Sequence, residues 1–140
     1  MMQVKEIMTP KPITIEPQKA VYEALLLMYQ HDIRRLPVIE DGRLVGIISD
    51  RDIKQIMGRP ILTREETGKE ELNFRVSEVM THDVIMVEQD ADLREAIELM
   101  AENKISGLPV VDHDEKLVGV VSSIDVLWYA LDLLNRVEGK

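Results

Sequence analysis

The 140-residue chain has no cysteine. Disulfide frameworks, thiolate metal centres and cysteine nucleophiles are therefore excluded. It also lacks the run of about eighteen apolar residues that a membrane-spanning helix needs. The opening residues, MMQVKEIM, contain no signal-peptide apolar stretch, so the expected compartment is the cytoplasm. Aromatic residues make up only 4%, which leaves few platforms for stacking nucleic-acid bases. Basic residues are outnumbered 17 to 26 by acidic ones, and the net charge of -9 disfavours binding to a phosphate backbone. No phosphate-binding glycine loop and no nucleophile elbow is present. The histidines, His31, His82 and His113, are scattered without a partner at helical spacing, so no metal site is expected. Nothing here makes a catalytic constellation, and the chain does not read as an enzyme.

What the sequence does have is a 45% hydrophobic content, sufficient for a core, and a repeat. VKEIMTPKPITIEP from Val4 matches VSEVMTHDVIMVEQ from Val76. IRRLPVIEDGRLVGIISDRDI from Ile33 matches ISGLPVVDHDEKLVGVVSSIDV from Ile105. The offset is 72 residues through Gly42 and 73 beyond a one-residue insertion at His113 to Glu115. Roughly nineteen of about fifty aligned positions are identical. Two copies are too few for an open solenoid and point to a closed pair.

Each copy reads as β-α-β-β-α, an α+β arrangement. A brief strand is expected around Ile13 to Ile15 and a helix from about Gln18 to His31. The helix carries Val21, Ala24, Leu25 and Met28 on one face, matched by Leu93, Ala96, Ile97 and Met100. Asp41-Gly42 between two apolar runs marks a hairpin, because both residues tolerate positive φ. The expected boundaries are 1–58 for the first repeat, 59–75 for a linker and 76–140 for the second repeat with its terminal helix. The linker has a possible cap at Thr63-x-x-Glu66 and reads as a solvated connector, with a gating role as the alternative. The terminal helix is apolar on more than one face: Val126, Leu127, Ala130, Leu131 and Leu134 on one, Trp128 and Leu133 beyond it. That excess of apolar surface is expected at a subunit contact.

The residues with chemical potential are Gly46-x-x-Ser49-x-x-Asp52 and Gly119-x-x-Ser122-x-x-Asp125. Each follows an apolar strand and opens a helix, so each is a capping box by default. A helix N-terminus also attracts anions. The serine can serve the same anion, and the aspartate can accept from the vicinal hydroxyls of a ribose. Gly46 and Gly119 would let a planar ring approach the strand.

Taken together, VKEIMTP…ITIEP, IRRLPV, GRLVGIISDRD and their second copies resemble a tandem pair of CBS domains, the Bateman module, over almost the whole chain. The chain looks like the stand-alone bacterial or archaeal type. The resemblance implies two repeats packed sheet to sheet about a pseudo-twofold axis. It implies two clefts drawing on both copies, and a ligand such as AMP, ADP, ATP or S-adenosylmethionine. On that basis a main cleft would hold Pro10, Ile13, Arg34, Arg35, Leu36, Arg51, Ser122 and Asp125. A second cleft would hold His82, Ile85, Ser106, Gly107, Leu108, Ser49 and Asp52, with Ile124 where the first has Arg51. The arginines make the main cleft the expected site for an adenine nucleotide, bound as a regulatory ligand with no cofactor required. The second cleft would bind weakly, stay empty or take a less charged adenosine compound. The expected assembly is a homodimer that regulates an unidentified protein. Two alternatives are a purely structural dimerisation module with vestigial clefts, and nucleic-acid binding through the arginines, which the acidity disfavours.

Overall fold

A computed structural model describes residues 1–57 and 73–139. The cap expected at Thr63-x-x-Glu66, and the connector or gating role of that stretch, lie outside the described residues. The described elements run as a 3-10 turn (Val4–Glu6), β1 (Thr9–Pro10), α1 (Val21–His31), β2 (Arg35–Glu40), β3 (Arg43–Ser49) and α2 (Asp50–Met57). They continue as α3 (Val76–Val79), β4 (Val87–Glu88), α4 (Leu93–Asn103), β5 (Gly107–Val111), β6 (Leu117–Ser122) and α5 (Ser123–Val137). Helices and antiparallel hairpins are mixed, which is the α+β class expected.

The compact units cut across the repeats. One consists of residues 13–84; the other joins 1–12 to 85–140. The segment leading each repeat therefore folds with the hairpin and helices of the other repeat.

In the 13–84 unit, β2 and β3 form the expected hairpin, closed by Asp41 at φ 53° and Gly42 at φ 81°. Positive φ at both turn residues matches the right-handed twist of the strands. Ile15 makes a parallel bridge to Val38 on one side, and Thr81 an antiparallel bridge to Ile47 on the other. Only Ile15 of the strand expected at Ile13 to Ile15 is paired. The helix expected from Gln18 begins at Val21, for a local reason. The backbone ahead of it is bonded to the 73–77 stretch: Val76 N–H donates to Lys19 O at 2.8 Å, Ser77 N–H to Pro17 O at 3.0 Å, and Val21 N–H to Phe74 O at 2.8 Å. A helical turn would withdraw those carbonyls. The core is Val21, Ala24, Met28, Leu36, Val38, Ile48 and Ile53, together with Val76 from the second repeat.

The 1–12/85–140 unit repeats this plan. Its sheet has the order β1-β6-β5-β4, with β4 and β5 parallel and the other neighbours antiparallel. Val4 N–H donates to Ala91 O at 2.9 Å, Lys5 N–H to Gln89 O at 3.0 Å, and Leu93 N–H to Met2 O at 2.8 Å. The inserted residue is absorbed in the β5–β6 loop, where the Asp112 carboxylate accepts from Asp114 N–H at 2.9 Å and Lys116 N–H at 3.0 Å. Those two donors, Lys116 foremost, hold the Asp112 carboxyl below its usual pKa. The core is Val87, Leu93, Ala96, Met100, Leu108, Val110 and Val121, together with Val4 from the first repeat. Val126 and Tyr129 of α5 pack against it. Ile124, Leu127, Trp128, Leu131 and Leu134, at helical spacing on the outer face of α5, are exposed. Val126 and Ala130, expected on the same face as Leu127, are half-buried instead.

Val4 is completely buried although it lies 81 residues before Ile85, where the rest of its unit begins. Val4→Ala removes two methyl groups from a packed core and should cost about 2 kcal/mol in urea unfolding. A change below about 0.5 kcal/mol would show that this residue does not anchor the segment.

Candidate ligand site

In the 13–84 unit the N-terminus of α2 is capped reciprocally. Asp52 N–H donates to Ser49 Oγ at 3.1 Å, and Ser49 N–H donates to Asp52 Oδ2 at 3.0 Å. The hairpin brings the arginines to this corner: Arg35 stands opposite Ser49 across the ladder, and Asp50 N–H donates to Arg34 O at 2.8 Å. Arg51 lies in the first turn of α2. Arg34, Arg35 and Arg51 are exposed, and none takes part in an ion pair among the described residues. The corner therefore combines Arg51 N–H, the first-turn amide left without an acceptor among the described residues, with guanidinium groups that have no carboxylate partner there.

In the other unit α5 is capped by the same motif with one bond more. Asp125 N–H donates to Ser122 Oγ at 3.2 Å, and Ser122 N–H donates to Asp125 Oδ2 at 2.8 Å. Ser122 Oγ–H also donates to Asp125 Oδ2, at 3.0 Å. Gly107 stands opposite Ser122, and Ser123 N–H donates to Ser106 O at 2.8 Å. Thus Ser106, Gly107 and Ile124 occupy the places that Arg34, Arg35 and Arg51 hold in the first unit. This corner has no cationic side chain from those positions.

The caps leave chemistry over. Both aspartates use Oδ2 for the cap, and Oδ1 of each accepts no hydrogen bond among the described residues. A carboxylate has lone pairs enough to accept further donors on that oxygen. The hydroxyls differ. Ser122 spends its proton on Asp125, whereas Ser49 Oγ donates to nothing among the described residues. Ser49 therefore retains a proton for an anion, together with the arginines nearby.

The remaining expected site residues fall as follows. Ile13 and His82 belong to the 13–84 unit, and Pro10 and Ile85 to the other. Pro10 and His82 are exposed; Ile13 and Ile85 are half-buried. Leu36 and Leu108 are fully buried, so their side chains serve the cores and only their backbone is left for a ligand. The resemblance groups Arg34, Arg35 and Arg51 with Asp125, and Ser106 and Gly107 with Asp52. The first group lies in the unit of Asp52 and the second in that of Asp125, so the expected clefts join residues of different units.

Gly46 and Gly119 do not leave room for a ring. A Cβ on Gly119 would lie 2.7 Å from Met8 Sδ and 2.9 Å from Thr9 O; one on Gly46 would lie 2.5 Å from Met80 Sδ and 3.0 Å from Thr81 O. These glycines admit the leading segment of the other repeat. The repeated Met-Thr pair in IMTP and VMTH was the available signal, since both methionines recur at the same place. A groove of about 520 Å³ lies in the 13–84 unit between α1 and residues 14–16, and is lined by none of the expected site residues.

Comparison with known proteins supplies the context for this geometry. The family model described as CBS domain matches residues 4–59 and 76–132. The chain is 35% identical over 123 residues to an inosine-5'-monophosphate dehydrogenase of Methanocaldococcus jannaschii, covering 87% of this chain but spanning only 22% of that enzyme. Among solved structures it is similar to CBSX2 in complex with AMP, with a TM-score of 0.81 and 30% identity over 94% of this chain and 98% of that one. It is also similar to the CBS domain pair of protein MJ0100 in complex with 5'-methylthioadenosine and S-adenosyl-L-methionine. There the TM-score is 0.74 and the identity 30%, over 92% of this chain and 95% of that one.

Proposed function

We propose, since the chain belongs to the CBS-domain family, that it is a sensor whose regulatory ligand is an adenine nucleotide: AMP, ADP or ATP. The ligands carried by the two similar structures, AMP in one and 5'-methylthioadenosine with S-adenosyl-L-methionine in the other, support an adenosine compound. The observation that favours a phosphorylated one is the corner at α2. A phosphate there would meet the uncommitted Arg51 N–H at the helix terminus, the free Ser49 hydroxyl and up to three guanidinium groups. The free Oδ1 of Asp52 would accept from the ribose hydroxyls. S-adenosylmethionine carries a sulfonium cation, which the same arginines would repel.

Arg34 and Arg35 act with Asp52 on this reading, because the hairpin fixes their backbone beside the α2 cap. The Ser122 and Asp125 corner lacks the cations and suits an uncharged adenosine compound such as 5'-methylthioadenosine. Ligand binding would act through a different affinity for two arrangements of the protein, the minimum for a sensor. The module would have no chemistry of its own, and a regulated protein or a second copy would read the change.

The outer face of α5 supports a homodimer. Its exposed residues Ile124, Leu127 and Trp128 correspond to the polar Arg51, Lys54 and Gln55 of α2. One of two related helices has thus acquired an apolar face, and a twofold contact through that face is the economical use of it.

In calorimetric titration with AMP, Arg35→Ala and Asp52→Ala should each weaken binding by about ten- to a hundredfold, the range for charge-assisted hydrogen bonds. Their combined effect should be less than additive. Asp125→Ala should leave that binding event nearly intact. If Arg35 couples to Asp125 instead, the assignment to one unit is wrong. A flat thermal-shift response to millimolar AMP, ADP and ATP would favour the structural-module reading. Sedimentation should show a dimer that Trp128→Glu converts to a monomer; a monomeric parent protein would remove the α5 contact from the account.

A further inference from the structure

The structure contains two seats that accept nearly the same peptide. In one, Val4, Met8 and Thr9 engage Ala91, Gly119 and Val120; in the other, Val76, Met80 and Thr81 engage Lys19, Gly46 and Ile47. The backbone bonds correspond one for one at an offset of 72, and matching lengths agree within 0.1 Å: 2.9 and 2.8 Å for Val4 and Val76, 3.0 Å for both Lys5 and Ser77. Val4 and Val76 are equally buried, at 0% exposure. Neither the ladder nor the buried valine tells the segments apart, yet each seats on the hairpin of the opposite repeat.

Charge does tell them apart. Lys5 Nζ lies 2.8 Å from Asp90 Oδ1, and His113 Nε2 lies 3.6 Å from Asp90 Oδ2. At the corresponding positions of the other seat stand Ser77 and Gln18, with Lys19 in place of Ala91. Seated there, Lys5 would exchange Asp90 for an amide beside Lys19, with Glu40 as the carboxylate lining the same hollow as Ser77 and Gln18, and Ser77 would leave Asp90 without its lysine. The hydrogen bond from Lys5 also lowers the pKa of the Asp90 carboxyl. We propose that the Lys5–Asp90 ion pair is a seat selector: it directs the N-terminal segment to the 85–140 hairpin and away from the equivalent seat at Ile47. The pair decides between two foldings of one chain, a role open to a surface ion pair because only the difference between the seats counts. Met2 and Phe74, which lead the two segments, differ in size and add a contrast of shape that a charge substitution leaves untouched.

The absence of native cysteine makes the seat readable. Thr9→Cys with Val120→Cys reports the observed seat, since Thr9 and Val120 are ladder partners. Thr9→Cys with Ile47→Cys reports the other, since Ile47 is the partner of Thr81. Both full-length chains are refolded in a glutathione buffer, and the linked peptides are quantified by mass spectrometry. The 9–120 link should dominate. Lys5→Ser, or Asp90→Gln, should raise the ratio of 9–47 to 9–120 links about two- to fivefold, the range for one exposed ion pair. The reversed pair, Lys5→Asp with Asp90→Lys, should restore the parent ratio, and 0.5 M salt (roughly a 4 Å screening length) should raise it only where the pair is intact. A ratio unmoved by the single substitutions, or not restored by reversal, overturns the proposal.

Discussion

A valine at the head of each repeat has no core of its own. Val4 is buried among the strands and helix of residues 85–140, and Val76 among those of 13–84. Each is followed by a methionine lying where only a glycine leaves space on the facing strand. This exchange ties the two repeats into one folding problem, because neither core closes until a segment from the other repeat arrives. It also sets the sheet edges: β1 covers the outer edge of β6, and Thr81 bridges the outer edge of β3. Covering an edge removes a template for unwanted pairing.

On the proposed reading the same hairpins would deliver the ligand-binding chemistry. Each runs into a helix through a Ser-x-x-Asp box that caps it, and on that reading the box would do a second job without conflict. One carboxylate oxygen closes the cap while the other accepts no hydrogen bond among the described residues. Structure and the proposed binding would thus be divided between two atoms of one side chain. The units then diverge through a few substitutions on a common frame. Arginines stand beside one cap; serine, glycine and isoleucine stand beside the other.

Much of this was legible from residue order. The repeat, the hairpin at Asp41-Gly42, both capping boxes and the apolar excess of α5 follow from pattern and local chemistry, and all are present. The exchange of leading segments was not legible, because Val4 and Val76 are the same residue and either seat satisfies a valine equally. The role of Gly46 and Gly119 was hidden for a related reason. A missing Cβ shows that something approaches closely, without showing whether it is a ligand ring or a methionine. Helix α1 starts three residues later than periodicity indicates, since periodicity does not register carbonyls committed to a distant segment.

The central claim is that an adenine nucleotide binds at the α2 cap beside Arg34 and Arg35. Backbone amide spectra of isotopically labelled protein, recorded during titration with AMP, test it residue by residue. The account requires saturable shifts centred on Arg34, Arg35 and Ser49 through Asp52. Saturable shifts confined to Ser122 through Asp125, or none at millimolar AMP, would contradict it.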